Sequence, residues 1–301
     1  MNENGKQYPK DDRTDPTGFL KRARQHQSDF RLNYLELPYD TYGNYLTKCD
    51  GEKGKNFYDG FGVFDAVRAY RKYNKALYSN MLRSEHIPFN IFIPLDKDKN
   101  FCKKVFEEIL QTNLESIDAV KIEYAPKPRK KYLNDGTSFD AYIEYTKVDG
   151  SKGIIGIEVK YTERDYKLLP DSKQDKDSHN FDSLYFSVTN SCGLYKDDAI
   201  NILPTDKYRQ IWRNHILGES ILLMDKDKFK YFTSMTLFPS GNTHFLKTSK
   251  EYIDLLKNSD NKFIALTYED LFALLTKYCP DDNYQNWINY LSRRYIVSKN
   301  E

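Results

Sequence analysis

The sequence predicts an α/β fold in which helices flank a mixed sheet. Three segments between residues 117 and 161 alternate apolar and polar side chains with the period of two that strands show. The segments before and after them repeat apolar residues every three or four positions, as amphipathic helices do. Between the last two strand-like segments stands Asp149-Gly150, a dipeptide that favours a two-residue hairpin turn.

The composition predicts a folded protein and excludes several classes. Of the 301 residues, 25 are Tyr, 18 are Phe and 2 are Trp, which supplies enough apolar area for a core. The four cysteines form no Cys-x-x-Cys pair, which argues against a zinc site or a disulfide framework. The N-terminal residues are polar, and no apolar run reaches the roughly 20 residues of a membrane span. We therefore expect a cytoplasmic protein with no membrane partner.

The net charge of +2 does not by itself indicate binding to nucleic acid. Three clusters of basic residues could contact phosphates or form ordinary solvated surface, and the sequence leaves both readings open. The clusters are Lys21, Arg22 and Arg24; Lys127, Arg129, Lys130 and Lys131; and Arg293 with Arg294.

The first third of the chain is predicted to be mainly helical. Residues 1–30 are polar and predict a mobile lead-in. An apolar spacing of three and four predicts a helix that begins at Asp65, its N-cap, continues to about Glu85 and is ended by Pro88. Residues 88–95 (PFNIFIPL) predict a buried extended segment, and residues 98–111 predict a second helix.

The rest of the chain supplies the sheet. Strands are predicted over residues 117–125, 138–146 and 153–161, followed by a polar loop at 164–180, a helix over 206–223 and a strand over 229–237. The remainder alternates helix, strand and helix, with short helices near 248–257, 268–277 and 283–295. The order is helix, three-strand meander, helix and strand, with helical additions at both ends. We divide the chain into the lead-in, a core domain over 31–240 and a C-terminal α/β extension over 241–301 packed on the core.

Charged residues interrupt the apolar pattern where two predicted strands adjoin. On the third strand, Glu158 and Lys160 alternate with the apolar row Ile155, Ile157, Val159 and Tyr161. On the second strand, Asp140 lies on the face opposite the row Phe139, Ala141, Ile143 and Tyr145. Asp140 stands nine residues before the Asp149-Gly150 turn and Glu158 stands eight after it, so an antiparallel hairpin brings the two carboxylates together.

Two converging carboxylates suit a hard divalent cation such as Mg²⁺, which prefers oxygen ligands and retains several waters. Such a cation can activate water and stabilise charge on a phosphoryl oxygen. A neighbouring lysine can orient the water or neutralise developing negative charge. The alternative for Glu-x-Lys alone is a solvated ion pair. The sequence therefore predicts Asp140, Glu158 and Lys160 as a catalytic set, with Asp140 and Glu158 as metal ligands.

Asp140 and Glu158-Val159-Lys160, on adjacent predicted strands, resemble the PD-(D/E)XK nuclease superfamily. The strings TSFDAYIEY and GIIGIEVKYTE resemble a bacterial branch of restriction-endonuclease-like proteins, and the likeness extends to NMLRSEHIPFNIF, SCGLY and YRQIWRNHIL. One departure is Phe139, which stands where the superfamily usually has proline. The resemblance implies a restriction-endonuclease-like core and cleavage of phosphodiester bonds in DNA with Mg²⁺, which Mn²⁺ is expected to replace.

The resemblance also implies secondary site residues. A carboxylate from the first long helix often joins the metal, which makes Glu85 a third candidate ligand; a helix end in solvent is the alternative. The helix carrying YRQIWRNHIL would pack beside the site, so that Gln210 hydrogen-bonds near the water or phosphate and Arg213 binds backbone phosphate. A solvated helix face is the alternative. On another face of that helix, His215 is expected to be a core histidine bonded to Glu219.

Three functions stay open on the sequence alone. The first is a DNA endonuclease in restriction or another defence role. The second is a catalytically silent module of nuclease fold that binds nucleic acid or a partner protein. The third is a nuclease for branched, single-stranded or RNA substrates, because no motif that reads a base sequence is recognisable. A homodimer would supply two active sites for double-strand cutting, and the oligomeric state stays open.

Overall fold

A five-stranded mixed sheet lies at the centre of the chain. The computed structural model describes residue 5 and residues 17–165, 167–258 and 262–297. The strands are β1 Leu114–Tyr124, β2 Phe139–Lys147, β3 Lys152–Val159, β4 Tyr231–Phe238 and β5 Phe263–Thr267, in the spatial order β1-β2-β3-β4-β5. β1, β2 and β3 form an antiparallel meander, and β4 and β5 run parallel to β3. The predicted α/β class with a mixed sheet and a three-strand meander is confirmed.

Helices precede, interrupt and follow the strands. Before β1 come α1 Phe19–Asn33, α2 Lys48–Glu52, α3 Val63–Tyr70, α4 Lys75–Tyr78, α5 Ile87–Lys97 and α6 Lys99–Leu110. Between β3 and β4 come α7 Lys173–His179, α8 Leu184–Ser191 and α9 Arg209–Met224. α10 Thr243–Ile253 precedes β5, and α11 Tyr268–Lys277 and α12 Asp282–Tyr295 follow it. Among the described residues, no helix is both long and apolar enough to cross a membrane.

Each face of the sheet is covered by its own apolar core. One core joins Ala141, Ile143 and Ile157 of the sheet to residues of α1, α5, α6, α11 and α12. The other joins Tyr142 and Ile154 to residues of α8, α9 and α10. Strand β3 is therefore buried on both sides, as central strands with parallel neighbours are. Charged groups on β3 consequently need partners, which makes the end of this strand informative about function.

The predicted helix over residues 65–85 is wrong. It is divided into α3 and α4, because Arg71 is extended and the side chain of Asn74 starts α4 by accepting a hydrogen bond from the Leu77 amide at 2.9 Å. α3 buries Val63 and Val67, whereas the predicted stripe residue Tyr70 is exposed. The apolar spacing across residues 65–85 was fortuitous, since it continued over a break made by local capping.

The predicted extended segment at 88–95 is also wrong, because these residues form α5. Pro88 lies in the first turn of that helix, where its missing amide hydrogen costs no helical hydrogen bond. Most residues of the segment are apolar and buried, and a short apolar run does not distinguish a buried helix from a buried strand.

The ends of the chain contribute to the sheet and its cores. Residues 17–30 of the predicted lead-in include most of α1. Phe19, Ala23 and Phe30 of this helix lie in the first core. The segment is polar on average, but its apolar residues form one face of an amphipathic helix. Residues 1–4 and 6–16 lie outside the described residues. In the predicted extension, β5 pairs with β4 and Trp287 of α12 is fully buried. The division at residue 240 stays a prediction.

The β2–β3 hairpin turns at Asp149-Gly150, where Gly150 adopts a φ of +78° that glycine accepts without strain. At the other end of the hairpin, Phe139 joins the second core instead of the apolar row with Ala141, contrary to prediction. Its ring fills the space above Gly156, where an added Cβ would lie 2.3 Å from Phe139 Cε1. The absence of a side chain at Gly156 therefore creates the site that Phe139 occupies.

His215 of α9 is a core histidine, as predicted, but its partner is not Glu219. Its Nδ1 lies 3.1 Å from the Tyr252 hydroxyl, and Nε2 is buried without a hydrogen-bond partner among the residues that the structure describes. The ring lies among the aromatic rings of Phe232 and Phe263, which exclude water. Burial lowers the pKa of His215 to about 3.

Acidification is expected to destabilise the fold through His215. Below pH 6.5 the unfolded chain binds a proton at this histidine and the folded chain does not, so stability falls as the pH falls towards 3. At pH 5 the loss is about 2 kcal/mol for this one group. Urea unfolding of His215→Phe at pH 7 and pH 5 should give a smaller pH dependence than the wild type. The same substitution at the exposed His179 is the control, and equal pH dependence in all three proteins would contradict the assignment.

Candidate active site

The predicted carboxylates lie side by side at one end of the β2–β3 pair. The register pairs Ala141 with Ile157, so Asp140 falls opposite Glu158, in agreement with the residue count. Asp140 Oδ2 accepts a hydrogen bond of 2.7 Å from the Val159 amide, which fixes the carboxylate against the neighbouring strand. β3 thus supplies both a backbone donor for one carboxylate and the second carboxylate.

Lys160 follows at the end of β3 and turns its ammonium back to Glu158. Its Nζ donates a hydrogen bond to Glu158 Oε1, and the two side chains are only 5% and 6% exposed. The Lys160 amide continues the parallel pairing by donating to the Leu237 carbonyl at 2.8 Å. Lys160 is therefore held by the sheet at one end and by a carboxylate at the other.

Helix α9 adds two amide side chains to Glu158. Gln210 Nε2 donates to Glu158 Oε1, and Asn214 Nδ2 donates to Glu158 Oε2. The two residues are four apart and therefore share one face of the helix. Gln210 is a residue predicted from the sequence and Asn214 is not, although the spacing of four residues between them is a signal that could have indicated Asn214. Glu158 thus receives hydrogen bonds from both α9 and its own strand.

Burial and mutual repulsion set the charges in this cluster. Burial raises the pKa of Asp140 well above its usual range, and the charges of Glu158 and Glu123 add to the effect. Burial alone would lower the pKa of Lys160, but Glu158 and Asp140 outweigh it and the net shift is upward. Lys160 is therefore an ammonium at neutral pH and can donate hydrogen bonds but cannot act as a general base.

A further carboxylate, Glu123 of β1, was not identified from the sequence. Its neighbours Ile122 and Tyr124 pair with Ala141 and Phe139, which brings Glu123 level with Asp140. Burial raises the pKa of Glu123, the charge of Arg71 opposes this, and the charge of Glu158 reinforces it. Nothing in the local pattern of β1 distinguishes Glu123 from an ordinary strand carboxylate, because its significance depends on strand register.

Glu85 lies near enough to this group for its charge to contribute to the raised pKa of Glu123. It belongs to a short 3-10 turn, Ser84–His86, and forms an ion pair of 2.7 Å with Arg83. No contact described for Glu85 joins it to Asp140 or Glu158, and its role as a metal ligand stays a prediction. Glu163 lies beside the turn, where its carboxylate accepts hydrogen bonds from the Ser84 amide and hydroxyl and from the Tyr161 amide. It therefore connects the turn to the chain that leaves β3.

Asp140 and Glu158 open onto a cleft with a volume of about 160 Å³. The cleft is lined by Gly136, Thr137, Ser138, Asp140, Glu158, Gln174, Gln210, Arg213 and Asn214. Within the described residues, no group of three or more His, Cys, Asp and Glu side chains is arranged to hold a metal ion. The donor set is therefore two carboxylates beside an open cleft. It fits Mg²⁺, which is commonly bound through one or two carboxylates together with waters and substrate phosphates.

The basic clusters differ in their surroundings. Lys127, Arg129, Lys130 and Lys131 are exposed on the connection from β1 to β2, which also carries Thr137 and Ser138 into the cleft. Arg294, in contrast, is fully buried and donates to the Asn56 carbonyl at 2.8 Å, so it cannot contact a phosphate.

Comparison with known proteins relates nearly the whole chain to one family. The model of the PD-(D/E)XK nuclease superfamily matches residues 10–297. No curated protein and no solved structure matches the chain.

Proposed function

Because this chain belongs to the PD-(D/E)XK nuclease superfamily, we propose that it is a Mg²⁺-dependent endonuclease that hydrolyses phosphodiester bonds in DNA. The observation that carries the proposal is that Asp140 and Glu158 line one cleft while the buried ammonium of Lys160 donates a hydrogen bond to Glu158. Two carboxylates with a buried lysine beside them, next to space for a phosphate, are an arrangement with a chemical use in phosphodiester cleavage.

In this proposal Asp140 and Glu158 hold the cation, and Mn²⁺ replaces Mg²⁺ with retained activity. When bound, the cation supplies Lewis-acid polarisation of a phosphoryl oxygen and acidification of a water. A bound cation would oppose the burial and the repulsion from Glu158 that raise the pKa of Asp140, so Mg²⁺ binding is expected to weaken as the pH falls. Glu85 is retained as a candidate additional ligand.

Lys160 acts as a hydrogen-bond donor and a positive charge towards the phosphate that is cut. Its ammonium is already buried and oriented by Glu158, so little reorganisation is needed as negative charge develops on the phosphoryl oxygens. Gln210 and Asn214 keep Glu158 in place, which is the support that a metal-binding carboxylate requires. For Gln210, contact with the attacking water or the phosphate is the further role we propose.

DNA is the substrate that we propose, with restriction or another defence role as the setting. Support comes from the exposed basic residues on the connection that leads to the cleft, which can neutralise backbone phosphates: Lys127, Arg129, Lys130 and Lys131. A homodimer would deliver two such clefts to the two strands of a duplex. We place the protein in the cytoplasm, where thiols stay reduced, and all four of its cysteines are free thiols.

The proposal is tested by incubating plasmid and linear DNA with the wild type and Asp140→Asn in Mg²⁺, Mn²⁺ or chelator. We expect the wild type to cut with either metal, and Asp140→Asn to lose both cleavage and Mg²⁺ binding by calorimetry. Glu144→Gln is the matched control, because Glu144 lies on the same strand but pairs with Lys121 and Lys228 instead of entering the cleft.

The outcomes distinguish the candidate functions. DNA binding without metal binding or cleavage by the wild type would favour the catalytically silent module. Cleavage confined to RNA, single strands or branched DNA would keep the chemistry and change the substrate. Cleavage that persists unchanged in Asp140→Asn would contradict the assignment of Asp140.

A further inference from the structure

Arg213 of α9 lies in the cleft wall, and its described hydrogen bonds are directed to the protein. Its Nε donates to the Tyr185 hydroxyl at 2.9 Å, and its Nη2 donates to Asp135 Oδ2 at 3.1 Å and to Thr137 Oγ1 at 2.5 Å. These contacts engage Nε and Nη2 of the guanidinium. They leave Arg213 oriented by three protein groups at once.

Asp135 is the centre of the same network. Its Oδ2 accepts hydrogen bonds from the Tyr185 hydroxyl and, at 2.7 Å, from the Thr137 hydroxyl, while Oδ1 accepts from the Thr137 amide at 2.9 Å. The side chains of Arg213 and Asp135 are 5% and 2% exposed. The attraction within so buried an ion pair compensates for the free energy of desolvation only when both partners form further hydrogen bonds. Arg213 and Asp135 both form such bonds, with Tyr185 and Thr137. Removing one partner would therefore leave the other buried and unpaired.

The network joins three parts of the chain around the cleft. Tyr185 belongs to α8 and Arg213 to α9, whereas Asp135 and Thr137 lie on the connection before β2, five and three residues before Asp140. On the neighbouring turn of α9, Gln210 and Asn214 bind Glu158 directly. One face of α9 is thereby attached to β3 through Glu158 and, through Asp135 and Thr137, to the connection that leads into β2.

We propose that the Arg213–Asp135 pair positions Asp140 relative to Glu158 and so sets the spacing of the two metal-binding carboxylates. This inference rests on the proposed function. It assigns Arg213 a positioning role, in place of the direct phosphate contact expected from the sequence. Asp135, Thr137 and Tyr185 share that role, although none of them touches the reacting groups.

The two roles of Arg213 predict different behaviour of its partner. If Arg213 positions the strand, Asp135→Asn and Arg213→Lys weaken the same property, and the double variant is no worse than either single one. If Arg213 binds phosphate, Arg213→Lys weakens DNA binding, whereas Asp135→Asn leaves it equal or stronger because it removes a negative charge beside the cleft.

The experiment measures Mg²⁺ affinity by calorimetry with the metal alone, DNA affinity in Ca²⁺, and kcat and KM for cleavage. We expect Asp135→Asn and Arg213→Lys each to lose about 10–100-fold in Mg²⁺ affinity or kcat, as for other residues that orient metal ligands. DNA affinity and KM should change little. The matched control is Arg209→Lys, because Arg209 belongs to the same helix and pairs with Asp206 at 2.8 Å outside the cleft.

The possible results separate this inference from the proposed function. Loss of DNA affinity in Arg213→Lys alone, or variants with wild-type Mg²⁺ affinity and kcat, would overturn the positioning role. A wild type that binds no Mg²⁺ would overturn both proposals. If Asp135→Asn or Arg213→Lys unfolds, Thr137→Val removes only one hydroxyl from the network and should show the same loss of Mg²⁺ affinity to a smaller extent, without loss of DNA affinity.

Discussion

Replacing Lys160 with alanine is expected to lower kcat for DNA cleavage by about 10²–10³-fold, the range found when one preorganised donor to a developing negative charge is removed. The ammonium is buried, fixed by Glu158, and kept charged by Glu158 and Asp140. Its loss removes the positive group that would face the phosphate and leaves the carboxylate oxygens in place. Single-turnover cleavage in Mg²⁺ measures the effect, and calorimetry should show that Mg²⁺ still binds.

Lys152→Ala is the matched control for this experiment. Lys152 lies on the same strand but at its opposite end, where it is exposed and pairs with Asp118 at 2.9 Å. Its removal should leave cleavage unchanged, because exposed ion pairs contribute little and this one is remote from the cleft. Equal cleavage rates for the wild type and Lys160→Ala would remove Lys160 from the catalytic set.

Replacing Trp287 with alanine is expected to lower the free energy of unfolding by about 3–5 kcal/mol. The indole is fully buried in α12, donates a hydrogen bond of 2.7 Å to the Asn90 carbonyl of α5, and packs against Phe61 and Tyr284. Its removal would leave a cavity where α12 closes the first core and would orphan a buried carbonyl. Urea unfolding followed by far-ultraviolet circular dichroism measures the change.

Asn286→Ala provides the comparison, since Asn286 precedes Trp287 on the exposed side of the same helix. We expect a change within about 0.5 kcal/mol, as for surface substitutions generally. A similarly small effect at Trp287 would mean that α12 is only loosely associated with the core. It would then support an independent C-terminal extension, separate from the sheet that the structure describes.

The central sheet was predictable because its signals are local. Alternation with a period of two and the Asp-Gly turn fix the β2–β3 register, so counting residues from the turn was enough to bring Asp140 opposite Glu158. The helical first third was less predictable. Between residues 63 and 97, capping by Asn74 and burial of α5 on most sides decided the structure, and apolar spacing does not report either.

In the candidate site, too, some residues could be predicted from local sequence signals and others could not. Glu158 and Lys160 are recognisable from a charged strand end, and Gln210 from the resemblance of its helix to a known family. Asp135 belongs to the site because of its buried ion pair with Arg213, and Glu123 belongs to it because of the pairing of β1 with β2. Neither contact can be predicted from a single sequence. The Arg213 side chain lines the cleft, and its contact with phosphate stays a prediction; its hydrogen-bond partners in the protein could be identified only from the folded chain.

The contact between Phe139 and Gly156 predicts that related sequences vary at these two positions together. Since the Phe139 ring occupies the volume that a side chain at position 156 would need, each residue limits the size of the other. Among related sequences, an alanine or valine at position 156 should therefore accompany a smaller residue, such as proline, immediately before the aspartate. A covariation test on an alignment would show whether an aromatic residue replaces proline at position 139 only in sequences that have glycine at position 156.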